Sequence, residues 1–164
     1  MAVAVAVGSS ASFTASSANP SNTFAAGTLS ILNSKEGLAV RTASNMRPGD
    51  SATGTVDVQN SGSLSGVFTL SRSGISDSDG ANPMSAKLDL VVKDCGDFSG
   101  GTPTCDAGDP VKYTGTIAAM GSTALGTFVA SEKHRYEFAV TFNSSAGNAY
   151  QGDSSSVQFD WNAS

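Results

Sequence analysis

Apolar and polar residues alternate along most of the chain, and this alternation is the first guide to its structure. Five stretches place every second residue on one apolar face: Val56 and Val58; Phe68 and Leu70; Leu88, Leu90 and Val92; Tyr136, Phe138, Val140 and Phe142; and Val157, Phe159 and Trp161. A period of two puts one face of a β-strand against a core and the other face in water. These stretches are therefore predicted to be strands of antiparallel sheets.

Turn-forming residues separate the predicted strands at intervals of about ten residues. They occur at 33–37, 48–50, 60–63, 76–80 and 121–122. No stretch carries an apolar repeat near 3.6 over three helical turns, so no long helix is expected. The pattern predicts an all-β fold, an antiparallel two-sheet sandwich of the jelly-roll type with about seven to nine short strands.

Weaker patterns give four further expectations. A first strand is expected within residues 23–31, and the chain is expected to be extended again at 38–40. Another strand is expected within 112–120, with Ile117 facing inward. The charged run at 132–135 is expected to interrupt the chain before the strand that starts at Tyr136.

The chain length suits a single domain, because an all-β sandwich of 164 residues can bury a useful core. We divide the chain into an N-terminal extended segment, residues 1–21, and one sandwich domain, residues 22–164. No internal repeat at a fixed period is present.

The N-terminal segment begins with strict alternation of Ala and Val, which places Val3, Val5 and Val7 on one face. It also resembles the end of a signal-peptide apolar region followed by small residues, although no basic segment precedes it. It is far shorter than the roughly 20 apolar residues that span a bilayer. The segment is therefore a candidate donor strand for a neighbouring subunit, a signal-peptide remnant, or a strand that folds back onto its own domain.

Charge limits the partners of this chain. Charged residues make up 14% of the sequence, and the formal net charge is -5. There is no basic stripe to neutralise phosphates, so neither nucleic acid nor an anionic membrane surface is an expected partner, and no membrane span is expected.

Two cysteines bracket a turn-rich insert, residues 96–104. A zinc site needs four ligands, and the only other soft ligand in the chain is the single His134. A local disulfide between Cys95 and Cys105 is therefore favoured, and closing so short a loop contributes roughly 2 to 3 kcal/mol. It also implies an oxidising compartment outside the cytoplasm.

Other candidate chemistry is weak. His134 has charged neighbours and is interpreted as a solvated strand lead-in with no ligand role, and no Gly-x-Ser-x-Gly motif is present. Asp77, Asp79 and Asn82 could coordinate calcium, but the EF-hand pattern fails there and a solvated turn is favoured. Tyr150 and Trp161 could stack on a sugar, yet such aromatics more often belong to a sandwich core. No catalytic residue, metal or other cofactor is predicted.

Four motifs, in order, resemble those of the TasA/camelysin family of secreted bacterial biofilm-matrix fibre proteins. The first is similar to that family's TFxAGTL start, the second to its LKPGD turn, the third to xNxGSL and the fourth to NxYQGxSxxxxF. They read here as Asn22-Thr23-Phe24-Ala25-Ala26-Gly27-Thr28-Leu29, Met46-Arg47-Pro48-Gly49-Asp50, Val58-Gln59-Asn60-Ser61-Gly62-Ser63-Leu64, and Asn148-Ala149-Tyr150-Gln151-Gly152-Asp153-Ser154 with Val157-Gln158-Phe159.

The resemblance implies a structural role for these motifs and an extracellular role for the protein. The motif residues are expected to hold turns and close strand approaches. The expected function is that of a non-enzymatic, secreted fibre subunit that donates an N-terminal strand to its neighbour. Its partners would be copies of itself and other matrix components. The alternatives are a monomeric surface module that binds carbohydrate or protein, and a camelysin-like metallopeptidase.

Overall fold

The computed structural model describes residues 26–43 and 45–164 of the chain. In this part of the chain there are eight strands: β1 Ile31–Asn33, β2 Ser51–Asn60, β3 Gly66–Asp77, β4 Leu88–Asp97, β5 Val111–Thr116, β6 Thr123–Phe128, β7 Lys133–Phe142 and β8 Ser155–Ala163. Two single-turn 3-10 helices, Met84–Lys87 and Asn148–Tyr150, complete the regular structure there. No helix in these residues is long and apolar enough to cross a membrane.

The strands form two antiparallel sheets, which confirms the predicted all-β sandwich. One sheet has five strands in the order β1-β2-β7-β4-β5, and the other has three in the order β6-β3-β8. The alternating residues identified in the sequence face inward, and Val58, Phe68, Leu70, Leu90 and Val92 are completely buried between the sheets. Sequence periodicity therefore predicted both the strands and their buried faces.

Aromatic rings fill much of the core between the two sheets. Phe68 stacks on Phe128 with ring centroids 4.3 Å apart. Tyr136 and Phe138 of β7 both pack against Trp161 of β8. Residues of two predicted strands, β7 and β8, thus bridge the core from one sheet to the other.

Several predicted boundaries were wrong. Residues 26–30, the described part of the expected first strand, are not a strand although their backbone bonds to residues 61–64, and β1 has only the three residues Ile31–Asn33. Residues 38–40 form no strand, because they cross closely over Gly54 of β2, where a Cβ atom would collide with the Val40 carbonyl. The charged run does not interrupt the chain: β7 begins at Lys133, and the turn precedes it at 130–131.

Ile117 is buried as expected, but it lies just beyond the end of β5. The strand Val111–Thr116 stops there because the chain turns, with the Met120 backbone N–H bonded to the Ile117 carbonyl at 3.2 Å. The burial was therefore predicted correctly and the secondary structure was not.

The strands run between two poles of the sandwich. We call one end the exit pole. Strands β3 and β7 begin there, and strands β2, β4, β6 and β8 end there. For β3, this is shown by the pairing of Gly66 with Phe128, at the end of β6, and of Phe68 with Ala163, at the end of β8. At the opposite end, the groove pole, β2 and β4 begin and β7 ends, as the pair Leu88 with Phe142 shows. Residue 26, the first described residue, connects to the domain at the exit pole.

The first and third family motifs dock on each other at the exit pole. The backbone N–H groups of Ser63 and Leu64 donate to the Thr28 carbonyl at 2.8 and 3.1 Å, and the Thr28 N–H donates to the Ser63 hydroxyl at 2.9 Å. Gly62 allows this approach, because a Cβ atom there would meet the backbone of Thr28 and Leu29. The motifs therefore fix where the N-terminal segment leaves the domain.

Asn60 joins the turns of the exit pole. Its fully buried side-chain amide donates to the carbonyls of Leu64 and Phe128 at 2.7 and 3.1 Å, and its Oδ1 accepts from the Gly62 N–H at 3.0 Å. All of its hydrogen-bonding groups are thus used within the fold, as burial of an amide requires.

The predicted disulfide between Cys95 and Cys105 is present at the same pole. The loop that it closes also packs against β7, where the Lys133 ammonium lies 4.0 Å from the centre of the Phe98 ring. Arg135 donates to the Pro103 carbonyl at 3.3 Å and to both carboxylate oxygens of Asp57. The loop is therefore held by side chains as well as by the disulfide.

Candidate functional site

A groove lined by apolar and polar side chains opens between the two sheets at the groove pole, with a volume of about 740 Å³. Its floor is the inner face of β7, contributed by Phe138, Val140 and Phe142. Val157 and Phe159 of β8 form one wall, and residues 39–41, 43 and 45–48 form the other. The groove is thus bounded on one side by a strand and on the other by irregular chain.

The groove follows from the unequal sizes of the two sheets. One sheet has three strands and the other has five, and at this pole loop residues of the segments before β2, before β4 and before β8 line the space between the sheets. β8 is the edge strand of its sheet, and among the described residues its only strand partner is β3. A free strand edge beside an apolar floor is the arrangement that accepts an added β-strand.

The second and fourth family motifs form the rim of this groove. Asp50 holds the second motif in its turn, since its side chain accepts from the Arg47 N–H at 2.8 Å, and the Gly49 N–H donates to the Phe142 carbonyl at 2.7 Å. Gly49 has φ of 97°, which favours glycine over other residues. In the fourth motif the Tyr150 ring packs edge-on against Phe142 with centroids 6.4 Å apart.

All four motifs therefore serve the two poles, the first and third at the exit pole and the second and fourth at the groove. The first four residues of the first motif, Asn22, Thr23, Phe24 and Ala25, lie outside the described residues, and so do Val3, Val5 and Val7 of the N-terminal segment. Sequence reasoning missed the groove itself, because its walls come from chain segments that are distant in sequence. The one available signal was the small number of apolar residues between β1 and β2, which is too few to form another core strand.

A cluster of polar side chains around His134 lies inside the sandwich at the exit pole, away from the groove. His134 Nδ1 lies 2.9 Å from Asp94 Oδ1, and His134 Nε2 lies 3.1 Å from Glu132 Oε1. The imidazole ring packs on Phe128 with centroids 4.7 Å apart, and its side chain is only 18% exposed. The expectation that His134 is solvated was therefore wrong, because the residue faces inward on the same side of β7 as Tyr136.

The charges of this cluster compensate one another. The hydrogen bond that His134 donates to the Asp94 carboxylate raises the pKa of His134 most, burial opposes this shift, and the hydrogen bond to Glu132 adds to it. Burial alone would raise the pKa of Asp94. Its pKa is nevertheless lowered, because burial is outweighed by the hydrogen bond and charge of His134, the hydrogen bond from the Gly96 N–H and the charge of Lys112. Lys112 completes the cluster with its ammonium 3.3 Å from Asp94 Oδ2.

These residues do not fit a zinc site. A histidine ligand must offer a neutral ring nitrogen to the metal, but both nitrogens of His134 face carboxylates that favour the charged imidazolium. The two cysteines are joined to each other. Among residues 26–43 and 45–164, no group of three or more His, Cys, Asp or Glu side chains is arranged to hold a metal ion.

The His134 cluster makes stability depend on pH in a defined direction. Because the folded-state pKa of His134 lies above 6.5, its contribution to stability is fully present below pH 6.5 and is lost as the pH rises through the folded pKa. We expect the free energy of unfolding to fall above pH 6.5 with a slope of at most about 1.4 kcal/mol per pH unit, the value for one proton. Urea denaturation at pH 6, 7, 8 and 9 measures this slope.

The matched control is His134→Gln, which keeps every other titrating group. Its unfolding free energy should be lower than that of the unsubstituted protein at pH 6 and should lack the slope. His134→Ala is expected to destabilise the fold, since it leaves the buried Asp94 carboxylate without its main partner. A solvated His134 could be replaced without a change in stability, but the ion pairs of His134 show that it is not solvated. An identical slope in the His134→Gln protein would show that another group titrates.

The remaining candidate residues have local roles. Asp77 accepts two hydrogen bonds from Ser85, at 2.9 and 2.7 Å, and Asp79 accepts from the Ala81 N–H and from the Asn82 side chain. The contacts of Asp79 are local to the loop, whereas Asp77 is the last residue of β3 and binds the residue Ser85 of the following 3-10 helix. Tyr150 and Trp161 both pack against the hydrophobic core.

Comparison with known proteins gives one family. The family model described as "Camelysin metallo-endopeptidase" matches residues 1–85, just over half of the chain. The matched region contains the N-terminal segment, the first three motifs and the segment that forms one wall of the groove. No curated protein matches the chain.

Proposed function

The chain belongs to the camelysin metallo-endopeptidase family, which confirms the resemblance recognised in its motifs. Within this family, we propose that the chain is a non-enzymatic structural subunit of extracellular fibres. Subunits assemble when the N-terminal strand of one copy enters the groove of the next. The carrying observation is that the groove opens at one pole of the sandwich while the N-terminal segment is attached at the other.

Attachment at opposite poles favours a head-to-tail polymer. The ten-residue strands β2 and β7 run from pole to pole, a length of about 33 Å. A donor that leaves one pole and an acceptor that opens at the other form a heterologous contact, and such contacts repeat into rings or filaments. Each copy would donate once and accept once.

The groove suits the N-terminal sequence in chemistry. Val3, Val5 and Val7 would face the floor formed by Phe138, Val140 and Phe142, while the backbone of the donor would pair with the free edge of β8. Burying a valine contributes about 1.5 kcal/mol or more, and each ladder hydrogen bond adds about 1 kcal/mol. Alternating alanines keep the other face of the donor thin.

The donor strand is marginal on its own. Three valines and about five hydrogen bonds supply roughly 9 to 10 kcal/mol, whereas ordering six residues costs roughly 6 to 12 kcal/mol. The balance is near zero, so assembly needs further contacts between subunits and is expected to be cooperative or assisted. Residues 8–25 can span about 60 Å when extended, so the donor could also enter the groove of its own domain, and concentration decides between the two.

The pairing of His134 supports a non-enzymatic role. It is the single histidine of the chain, and both of its ring nitrogens contact carboxylates. The name of the family refers to a metallopeptidase, so this part of the proposal needs a direct test. The disulfide supports an oxidising, extracellular location, with a single domain at 22–164 and an assembling extension at 1–21.

Light scattering and negative-stain electron microscopy of the intact chain over a concentration series test the proposal. Monomers are expected at low concentration and fibres above a threshold. A protein that stays monomeric up to millimolar concentration, and that fails to bind a synthetic peptide of residues 2–9, would refute fibre assembly. Casein digestion that is lost with a chelator and restored by zinc would refute the non-enzymatic role and favour the peptidase.

A further inference from the structure

Asp94 lies at a β-bulge that also contains Cys95. The pairing of β4 with β7 shifts by one residue between Asp94 and Gly96, so Cys95 is the extra residue of the bulge. Asp94 and Cys95 are 7% and 8% exposed, so two consecutive residues are buried where a regular strand would turn them to opposite faces. The bulge therefore sets the direction of the Asp94 carboxylate.

A hydrogen bond and a covalent bond both restrain this bulge. The Gly96 N–H donates to Asp94 Oδ1 at 3.1 Å, and the same oxygen lies 2.9 Å from His134 Nδ1. Gly96 has φ of 103°, a backbone conformation that favours glycine. Cys95, between Asp94 and Gly96, is bonded to Cys105. The disulfide therefore restrains the backbone that directs Asp94 towards His134.

Asp94 has a second cation within reach. Its Oδ2 lies 3.3 Å from the Lys112 ammonium, which also donates to the Leu125 carbonyl at 3.0 Å. A rotation of Asp94 away from the imidazole would leave the carboxylate paired with Lys112. Separating Asp94 from His134 therefore costs less than it would for a buried carboxylate with one partner.

Charged and titratable groups face the His134 cluster from several elements. They are Asp94 and Asp97 of β4, Lys112 of β5, Glu132 in the turn before β7, and Tyr136 of β7 itself. The neighbours of His134 on β2 and β6, Val58 and Phe128, are uncharged. Among these groups the hydrogen bond to Asp94 raises the pKa of His134 most, so the position of Asp94 decides how strongly His134 holds its proton.

We propose that the Cys95–Cys105 disulfide holds Asp94 against the His134 imidazolium, so that reduction of the disulfide weakens this ion pair. The reductant is a dithiol, which gives up two electrons and two protons and becomes a disulfide, while Cys95 and Cys105 become thiols. Redox state and pH then act on one and the same contact at the exit pole. This coupling does not depend on strand donation or on fibre assembly.

Linkage gives the coupling a defined sign. Asp94 raises the pKa of His134 in the oxidised protein, and a released Asp94 raises it less. Because coupling is reciprocal, the protonated imidazole makes the disulfide harder to reduce. This protection of the disulfide is fully present below the lower of the two His134 pKa values, and it is lost as the pH rises through the higher one.

The single histidine of the chain gives a direct readout of the coupling. NMR follows its ring resonances against pH in the oxidised protein and after reduction with dithiothreitol. The double variant Cys95→Ser with Cys105→Ser is titrated alongside, because serine hydroxyls do not ionise in this range. Both forms without the disulfide are expected to show a lower His134 pKa than the oxidised protein, with proton binding weaker by about threefold or more.

Phe98→Ala is the matched control. Phe98 anchors the same loop, since its ring lies 4.0 Å from the Lys133 ammonium, but the substitution keeps the disulfide. The His134 titration of this variant should match that of the oxidised, unsubstituted protein. An equal fall of the His134 pKa in Phe98→Ala would overturn the proposal, because packing of the loop, and not the disulfide, would then position Asp94.

The fold of each form is checked by near-ultraviolet circular dichroism, and all samples contain sucrose, which favours the compact state. An unchanged His134 titration in either form without the disulfide would overturn the proposal. A double variant that is unfolded even in sucrose would also contradict it, because the coupling requires a folded protein without the disulfide.

Discussion

Val5→Asp is expected to give a folded monomer that does not extend fibres, even at concentrations where the unsubstituted chain assembles completely. In the proposed complex Val5 is the central residue of the donor stripe and faces an apolar floor, so the substitution buries an unpaired carboxylate. Such burial costs several kcal/mol, which exceeds the balance available to the donor strand. Sedimentation and negative-stain imaging measure the effect.

The matched control for this substitution is Ala4→Asp. Residue 4 lies on the opposite face of an alternating strand, where a carboxylate can remain in water. Ala4→Asp should therefore assemble much better than Val5→Asp. Equal behaviour of the two variants would show that the valine face is not buried, and normal assembly of both would place the donor elsewhere, with residues 11–18 the next segment to test.

Val157→Asp is expected to have an equally large effect from the acceptor side. Val157 lines the groove on the edge strand β8, so a carboxylate there would meet the incoming valines. The variant should be unable to accept a donor but should still be able to donate its own. It should therefore stop growth of unsubstituted fibres when added in substoichiometric amounts, which sedimentation of mixtures measures.

Gln158→Asp provides the control for the acceptor. It introduces the same charge into the same strand, at an exposed position on the outer face. It should assemble like the unsubstituted protein. A loss of assembly in both variants, with unchanged thermal stability, would point to general charge repulsion rather than to the groove.

Sequence periodicity predicted the strands with paired partners and one buried face. Val56, Phe68, Leu90 and Phe138 were assigned to the core correctly because each belongs to a run with period two. Residues 38–40 were expected to be extended, but the chain bends at 38 and 40 where it crosses β2 over Gly54, a close approach that depends on a residue distant in sequence. Local sequence pattern does not reveal such a crossing.

His134 shows why polar clusters are harder to predict. Its neighbours in sequence are charged, which suggested a solvated position. Alternation from Tyr136 backward would have placed it on the inner face, and Asp94 lies two residues after the buried Val92 on the same pattern. The ion pair between them joins two strands that are adjacent only in the folded sheet.

The motif residues were predicted to be structural from their sequence alone, but their grouping into two poles required the fold. Gly62 and Gly27 are 35 residues apart by number and serve one docking contact. Pro48 and Tyr150 line one groove from opposite ends of the domain sequence. Each motif read alone is an ordinary turn. The proposal of fibre assembly depends on their arrangement in space, two at each pole of the sandwich.

Mixing the donor-defective and acceptor-defective variants tests strand donation most directly. Neither Val5→Asp nor Val157→Asp should assemble alone, but the intact donor of Val157→Asp can enter the intact groove of Val5→Asp. Analytical ultracentrifugation of an equimolar mixture should therefore show a one-to-one heterodimer that grows no further, whereas each variant alone stays monomeric. A mixture that remains entirely monomeric, or that forms fibres, would contradict assembly by donation of the N-terminal strand.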